Sequence, residues 1–300
     1  MKQMQEKIKT IAQEYFPPLL QEIKGAPEKL YIKGTLPEFD RPWVAIVGTR
    51  KATPDGVLFA KQLAKELSEK GFVIVSGLAM GIDTAAHEGA LKGGGKTVAV
   101  LGNGLDNVYP RQNENLAKTI LAQGGALLSE YSPETPAYPS QFLERNRIVS
   151  GMSIATIVIE APDRSGSIVT ARLAGEQGRE ILVFPGPATH PNYAGSHKLI
   201  RDGARLVTSV ADILADLGLE ELPQQSLFSK EKDIPNPADT LTPNERAILN
   251  VIESAKKPLS IDKISELTKL DAAIVNQVVA MHTINGTLQE NEFGYRRVTD

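Results

Sequence analysis

From Trp43 onward the chain alternates short β-branched runs with longer amphipathic or alanine-rich stretches, and this rhythm restricts the fold more than any other feature. The runs are WVAIV (43–47), FVIVS (72–76), TVAVL (97–101), ALLSE (126–130), IATIVIE (154–160), ILVF (181–184) and RLV (205–207). Between the first two lies VLFAKQLAKELSEKG (57–71), whose Phe59, Leu63 and Leu67 recur at helical spacing. Near-continuous apolar strands separated by helices predict a Rossmann-like α/β domain, a mostly parallel sheet with helices on both faces, over residues 41–217. The pattern does not specify strand order.

Three further segments flank this domain. Residues 1–40 read as a short helical stretch followed by the extended piece LYIKG (30–34) and a proline-bounded turn. Residues 218–240 are rich in Pro, Gln, Ser and charge, which predicts a linker. Residues 241–300 carry three helical patterns, the first opening at Thr242-Pro243, and then a hairpin pattern through GTLQENEFGYRRV; this order predicts a small C-terminal winged helix.

The absence of cysteine removes disulfides and thiolate metal sites and fits a reducing cytoplasm. His87, His190, His197 and His282 are scattered without metal-ligand spacing, so no zinc site is expected. The N-terminal MKQMQEKIKTIAQEYF is interrupted by charge every few residues, and is neither a signal peptide nor a membrane span. A soluble, cytoplasmic protein is expected. Its net charge is −3, so a polyanionic partner would have to be met by a local basic cleft.

The residues suited to such a cleft gather where the runs end, which in an open parallel sheet is the ligand-binding edge. Gly48-Thr49-Arg50 follows the first run; it offers a close backbone approach, a hydroxyl and a guanidinium fork, although taken alone it reads better as a plain turn with a surface arginine. Ser76 to Asp83 carries Gly77 and Gly81 ahead of a small-residue helix, without the G-x-G-x-x-G dinucleotide fingerprint. Asp83 reads as a helix cap, and His87 as a packed histidine. Gly102 to Asp106, followed by Val108-Tyr109-Pro110, is a weak signal on its own. In QFLERNR (141–147) helical spacing puts Phe142, Arg145, Asn146 and Val149 on one face, with Arg147 turned away by roughly 200°. Base stacking with phosphate contact and a core phenylalanine with solvated arginines fit this pattern equally. Ser165-Gly166-Ser167 opens another helix, with Ser167 as the expected N-cap; its small residues and free N–H groups can seat a phosphate, although taken alone it reads better as an ordinary capped helix. Lys198 and Arg201 lie on a later helix. No catalytic set is evident: G-x-S-x-G is absent, and Glu130 and Glu160, which close their strands, can as easily orient donors as do chemistry.

The series KGTLP, VAIVGTR, SGLAMGIDTAAHEGAL, GLDNVYP, LLSEY, FLERNRIVSGMS, SGSIVTARLAGEQGR, PGP and GSHKLIRDGA, in that order from about Leu30 to Leu214, resembles the DprA/Smf (DNA-processing protein A) family. The resemblance implies a Rossmann-like core that binds single-stranded DNA with little sequence preference. It implies loading of a RecA-type recombinase during natural transformation, displacement of single-strand-binding protein, and homodimerisation through the Rossmann-like domain. No cofactor and no enzymatic activity are implied. Carried to matching positions, the DNA-contact candidates are Thr49, Arg50, Arg145, Asn146, Arg147, Ser165, Gly166, Ser167 and Lys198, with Phe142 for stacking and Gly77 and Gly81 for shaping the pocket. The chain departs from the family in two places. Its N-terminal helical domain is shorter than the family's, and His197 stands where the family often has Asn.

From Thr240 to Asp300 seven Lys/Arg face eight Asp/Glu, and residues 271–284 carry no Lys or Arg. A major-groove reader would normally carry some. The C-terminal unit is therefore expected to contact protein, or to assist weakly through Arg296 and Arg297, rather than to read duplex DNA. A nucleotide-binding enzyme or sensor of the phosphoribohydrolase type is the competing reading of the core. Its P-G-G-x-G-T-x-x-E motif is absent; Gly93-Gly94-Gly95 and Ser165-Gly166-Ser167 are the nearest stretches.

Overall fold

Strand β3 (Trp43–Gly48) owes its central place to alternation with no polar face. Val44 and Ile46 point to one apolar layer, Ala45 and Val47 to the other, and all four are buried. The computed structural model describes residues 7–220, 243–255, 257–284, 287–291 and 294–297. Among them the chain divides into two compact units, residues 1–227 and 228–300. The expected linker falls largely outside the described residues, as does Thr242.

In the first unit, β1 (Lys9–Ala12), β2 (Lys29–Gly34), β3, β4 (Val73–Ser76), β5 (Thr97–Leu101), β6 (Ala126–Ser129), β7 (Ala155–Ile159), β8 (Glu180–Val183) and β9 (Arg205–Leu206) form one sheet in the order β1-β2-β6-β5-β4-β3-β7-β8-β9. From β6 to β9 all neighbours are parallel; β2 joins β6 antiparallel, and β1 joins β2 antiparallel. The helices are α1 (Pro18–Gln21), α2 (Pro54–Glu69), α3 (Ile82–Lys92), α4 (Glu114–Ala122), α5 (Pro139–Gly151), α6 (Gly166–Glu176), α7 (Ala194–Arg201) and α8 (Val210–Leu217). One face of the sheet packs Leu63 and Leu67 of α2, Ala85 and Ala86 of α3 and Ile213 of α8. The other packs Leu20 of α1, Ile148 and Val149 of α5, Ala171 of α6 and Leu199 of α7. The expected α/β fold with both faces covered is thus the observed one.

The N-terminal segment differs from its helical expectation. Lys9–Ala12 is a strand, in register from Lys9↔Ile32 to Ala12↔Lys29. Pro17 and Pro18 prevent a helix from running on past Phe16, which is itself extended (φ −75°, ψ 159°). The short stretch before them gains more from pairing with β2 than a marginal helix would supply. Residues 1–40 are therefore not a separate element beside the domain: β1 and β2 extend its sheet, and Phe16, Leu20 and Ile23 fill its core.

The second unit has α9 (Pro243–Ser254), α10 (Ile261–Thr268) and α11 (Ala272–Ile284), then a hairpin of β10 (Leu288–Asn291) and β11 (Gly294–Arg297). Its small core gathers Ile248, Ile252, Ile264, Val275, Val279 and Leu288. Among the described residues no helix is long and apolar enough to cross a membrane.

Candidate functional site

Strand order reverses between β3 and β7, and ligands of open α/β sheets bind outside the carboxyl ends of the strands at such a point. A cavity of about 460 Å³ opens there. It is lined by Val47 to Lys51 at the end of β3 and beyond, Gly77 and Ala79 after β4, Pro162 and Arg164 to Ser167 after β7, and a wall of α5 that includes Phe142, Arg145 and Asn146. Nine of the twelve candidate residues meet in this one lining: Thr49, Arg50, Gly77, Phe142, Arg145, Asn146, Ser165, Gly166 and Ser167.

The other three lie elsewhere. Gly81 precedes α3 with φ +80°, and a Cβ there would run into the Thr49 carbonyl, so it sets how closely two loops approach behind the lining. Arg147 points away, as its helical phase requires. It grips Glu130 with both terminal nitrogens (2.9 and 2.7 Å) and donates through Nε to the Gly25 carbonyl at 3.0 Å. Lys198 is exposed on α7, outside the lining. His197 serves its own loop: Nε2 lies 3.0 Å from the Gly186 carbonyl, and the ring stacks on Tyr193.

The two lining arginines play different parts. Arg50 is exposed, its guanidinium carbon 5.6 Å from the centre of the Phe142 ring, and among the described residues no ion pair engages it. It is free to meet an anion. Arg145 is buried and already committed. Nη1 donates to the carbonyls of Gly77 (2.8 Å) and Val100, and Nε donates to Asn146 Oδ1 (3.2 Å). Burial pulls its pKa down to about 10, against the counter-effect of Asp83. A Cβ at Gly77 would meet the Arg145 guanidinium and push it from this position. Arg145 thus fastens α5 to the ends of β4 and β5.

Asp83 takes up the opposite charge. Its Oδ2 accepts from the backbone N–H groups of Gly77 (3.1 Å) and Ala79 (3.3 Å) and so closes the loop before its helix. Burial raises its pKa, and Arg145 with these donors offsets part of that rise. Behind it, His87 Nδ1 sits 2.7 Å from Thr97 Oγ1, whose own hydrogen goes to the Ile74 carbonyl (2.6 Å). Nδ1 therefore carries the ring proton, while Nε2 is buried without a partner. Burial, and secondarily Arg145, lowers the His87 pKa to about 3.

Beside α5, α6 begins one residue earlier than its expected cap. Ser165, not Ser167, is the N-cap: its Oγ accepts from Ile168 N–H at 3.4 Å and lies 2.8 Å from Ser167 Oγ, which falls in the first turn. The hydroxyls of Ser165 and Ser167 and the first N–H groups of α6 thus stand together at the cavity wall, a cradle for an anion. Asn146 Nδ2 donates to the Gly166 carbonyl (3.3 Å) and ties this cradle to α5.

Glu160 is an organiser. It adopts φ +51°, and its carboxylate accepts from Thr53 N–H (3.0 Å), Thr53 Oγ1, Asn192 Nδ2 (2.9 Å) and Tyr193 OH (3.1 Å). Burial opposes its charge, but these donors win and hold its pKa below the ordinary value. Its carbonyl accepts from Thr49 N–H at 2.8 Å, so the loop that presents Arg50 is held at both ends. Lys51 and Arg164 also line the cavity, and both were passed over in the sequence. The signal was their adjacency: each flanks a small-residue loop at the sheet's carboxyl edge.

Comparison with known proteins decides what kind of chain this is. Residues 7–218 match the family described as DNA recombination-mediator protein A. The chain belongs to that family. Among relatives of this recombination-mediator family, Protein Smf of Escherichia coli is 38% identical over 274 residues, 87% of this chain and 72% of the relative. The DNA processing protein DprA of Streptococcus pneumoniae is 43% identical over 207 residues, 69% of this chain and 73% of the relative. Two solved structures of DNA processing protein A are similar. That from Streptococcus pneumoniae has a TM-score of 0.66 at 42% identity, covering 70% of this chain and 74% of the other. That from Helicobacter pylori, whose single-stranded DNA binding mode was the subject of its structure, has a TM-score of 0.64 at 33% identity, covering 71% and 96%.

Proposed function

We propose that this chain is a recombination mediator that holds single-stranded DNA in the cavity at the β3/β7 switch point. The observation that carries the reading is the pairing of Arg50 and Phe142 on one lining with the α6 cradle: a cation, an aromatic face and free N–H groups around a space of nucleotide size. Unpaired bases expose the π-faces such a ring needs, whereas a duplex keeps them stacked inside. Similarity to a Helicobacter pylori protein known for its single-stranded DNA binding mode supports the same choice. The −3 net charge is no obstacle, because Arg50, Lys51 and Arg164 all gather on this lining.

Within this reading Arg50, Lys51, Arg164, Thr49, Ser165, Gly166 and Ser167 meet the phosphates, and Phe142 stacks a base. Arg145 and Asn146 hold the walls in place, and Arg147 braces α5 against β6. The protein is a cytoplasmic binder with no catalytic residue. It hands the strand to a RecA-type recombinase, against competition from single-strand-binding protein, and works as a homodimer through the α/β domain. The C-terminal unit is a winged helix that engages protein rather than duplex DNA.

Oligothymidylate binding across a salt series tests the site. Arg50→Ala is expected to weaken binding about tenfold and to reduce the slope of log affinity against log salt by about one. Arg147→Ala is expected to bind like wild type, because its guanidinium is occupied by Glu130. Equal binding by wild type and Arg50→Ala would remove the cavity from the account.

A further inference from the structure

Tyr109 takes no part in the site as described, yet its position is unusual. Its side chain is 48% exposed, and its ring centre lies 5.4 Å from that of Phe142, tilted by 45°. Since Arg50 covers the same Phe142 ring at 5.6 Å, Arg50 and Tyr109 both abut the proposed stacking residue. A ring this exposed adds little to the core, whereas a free aromatic face beside a stacking residue suits a second base. Arg111, two residues on, is also exposed, and no ion pair engages it among the described residues. The nearby Glu114 carboxylate is taken by Lys118 at 3.0 Å. The same loop carries the exposed Asp106, which offsets Arg111 and leaves stacking rather than net charge as the attraction.

We propose that Tyr109 is a second stacking platform, taking the unpaired base that follows the nucleotide held in the cavity. The inference rests on the cavity reading and extends the footprint across the β5–α4 loop. Two consequences separate it from a structural role. The contribution depends on the ring and not on the hydroxyl, and it is insensitive to salt, unlike that of Arg50.

Labelled oligothymidylates of graded length, titrated with the full-length protein at several salt concentrations, test this. Tyr109→Ala is expected to lose about tenfold in affinity for the longer strands while keeping the wild-type salt slope. Tyr109→Phe is expected to bind like wild type, and loss of affinity there as large as in Tyr109→Ala would overturn a stacking role. If Tyr109→Ala binds every length like wild type while Arg50→Ala is weakened, the platform is wrong and the cavity stands. If Arg50→Ala is also unaffected, both fail together.

Discussion

Arg145→Ala is expected to destabilise the α/β unit by about 3 kcal/mol, far more than any substitution of an exposed lining residue. The guanidinium is buried and supplies the donors for the Gly77 and Val100 carbonyls and for Asn146 Oδ1. Removing it leaves those acceptors without their donor at the cavity wall, and takes away the positive charge that offsets part of the burial cost of Asp83. The measurement is convenient, because the only tryptophan, Trp43, is buried in β3 and reports on this unit alone. Urea titration followed by its fluorescence should show the midpoint collapse in Arg145→Ala. A midpoint within experimental error of wild type would mean that Arg145 is not the fastening it is taken to be. The same reasoning makes Arg145→Ala a poor probe of DNA contact, since lost binding would follow from lost structure.

The second large effect is a loss of stability in acid that traces to His87. An unfolded histidine titrates near 6.5, whereas in the fold burial holds His87 at about 3. Between these values the unfolded chain binds the proton and the folded chain does not. Stability is therefore fully present above about pH 6.5 and falls as the pH drops towards 3, by up to about 1.4 kcal/mol per unit. Asp83 acts in the opposite sense. Its raised pKa means that its neutral form suits the fold, so its contribution is lost as the pH rises through that value and returns on acidification. His87→Gln is expected to flatten the dependence of the Trp43-monitored midpoint between pH 6 and 4, whatever it does to stability at neutral pH. An unchanged slope would assign the acid loss to other groups.

Much of this arrangement was legible in the sequence, for reasons that can be named. Strands buried on both faces are written as unbroken apolar runs, so β3, β5 and β7 fall within about a residue of their expected bounds. Helical phase separates Arg145 from Arg147, and the structure sends one to the cavity wall and the other to Glu130. What could not be read were facts fixed by partners distant in sequence. The strand order, and with it the switch point, depends on which strands pair. Segment β1 is a strand because β2 stands beside it. Arg145 and Arg50 look alike in sequence; only packing against Gly77 and Val100 makes one a buried brace and leaves the other free. Ser165 and Ser167 are equally good caps by composition, and the difference is where the chain turns after Pro162.

The central claim is that a single strand lies in the cavity at the β3/β7 edge, and photo-crosslinking tests it most directly. Oligothymidylate carrying 5-iodouracil is bound to the full-length protein, irradiated, and the modified peptides are mapped by mass spectrometry. The account predicts crosslinks at the aromatic side chains of this edge, Phe142 first and Tyr109 beside it. Crosslinks confined to residues 243–297 would contradict it and move DNA binding to the C-terminal unit.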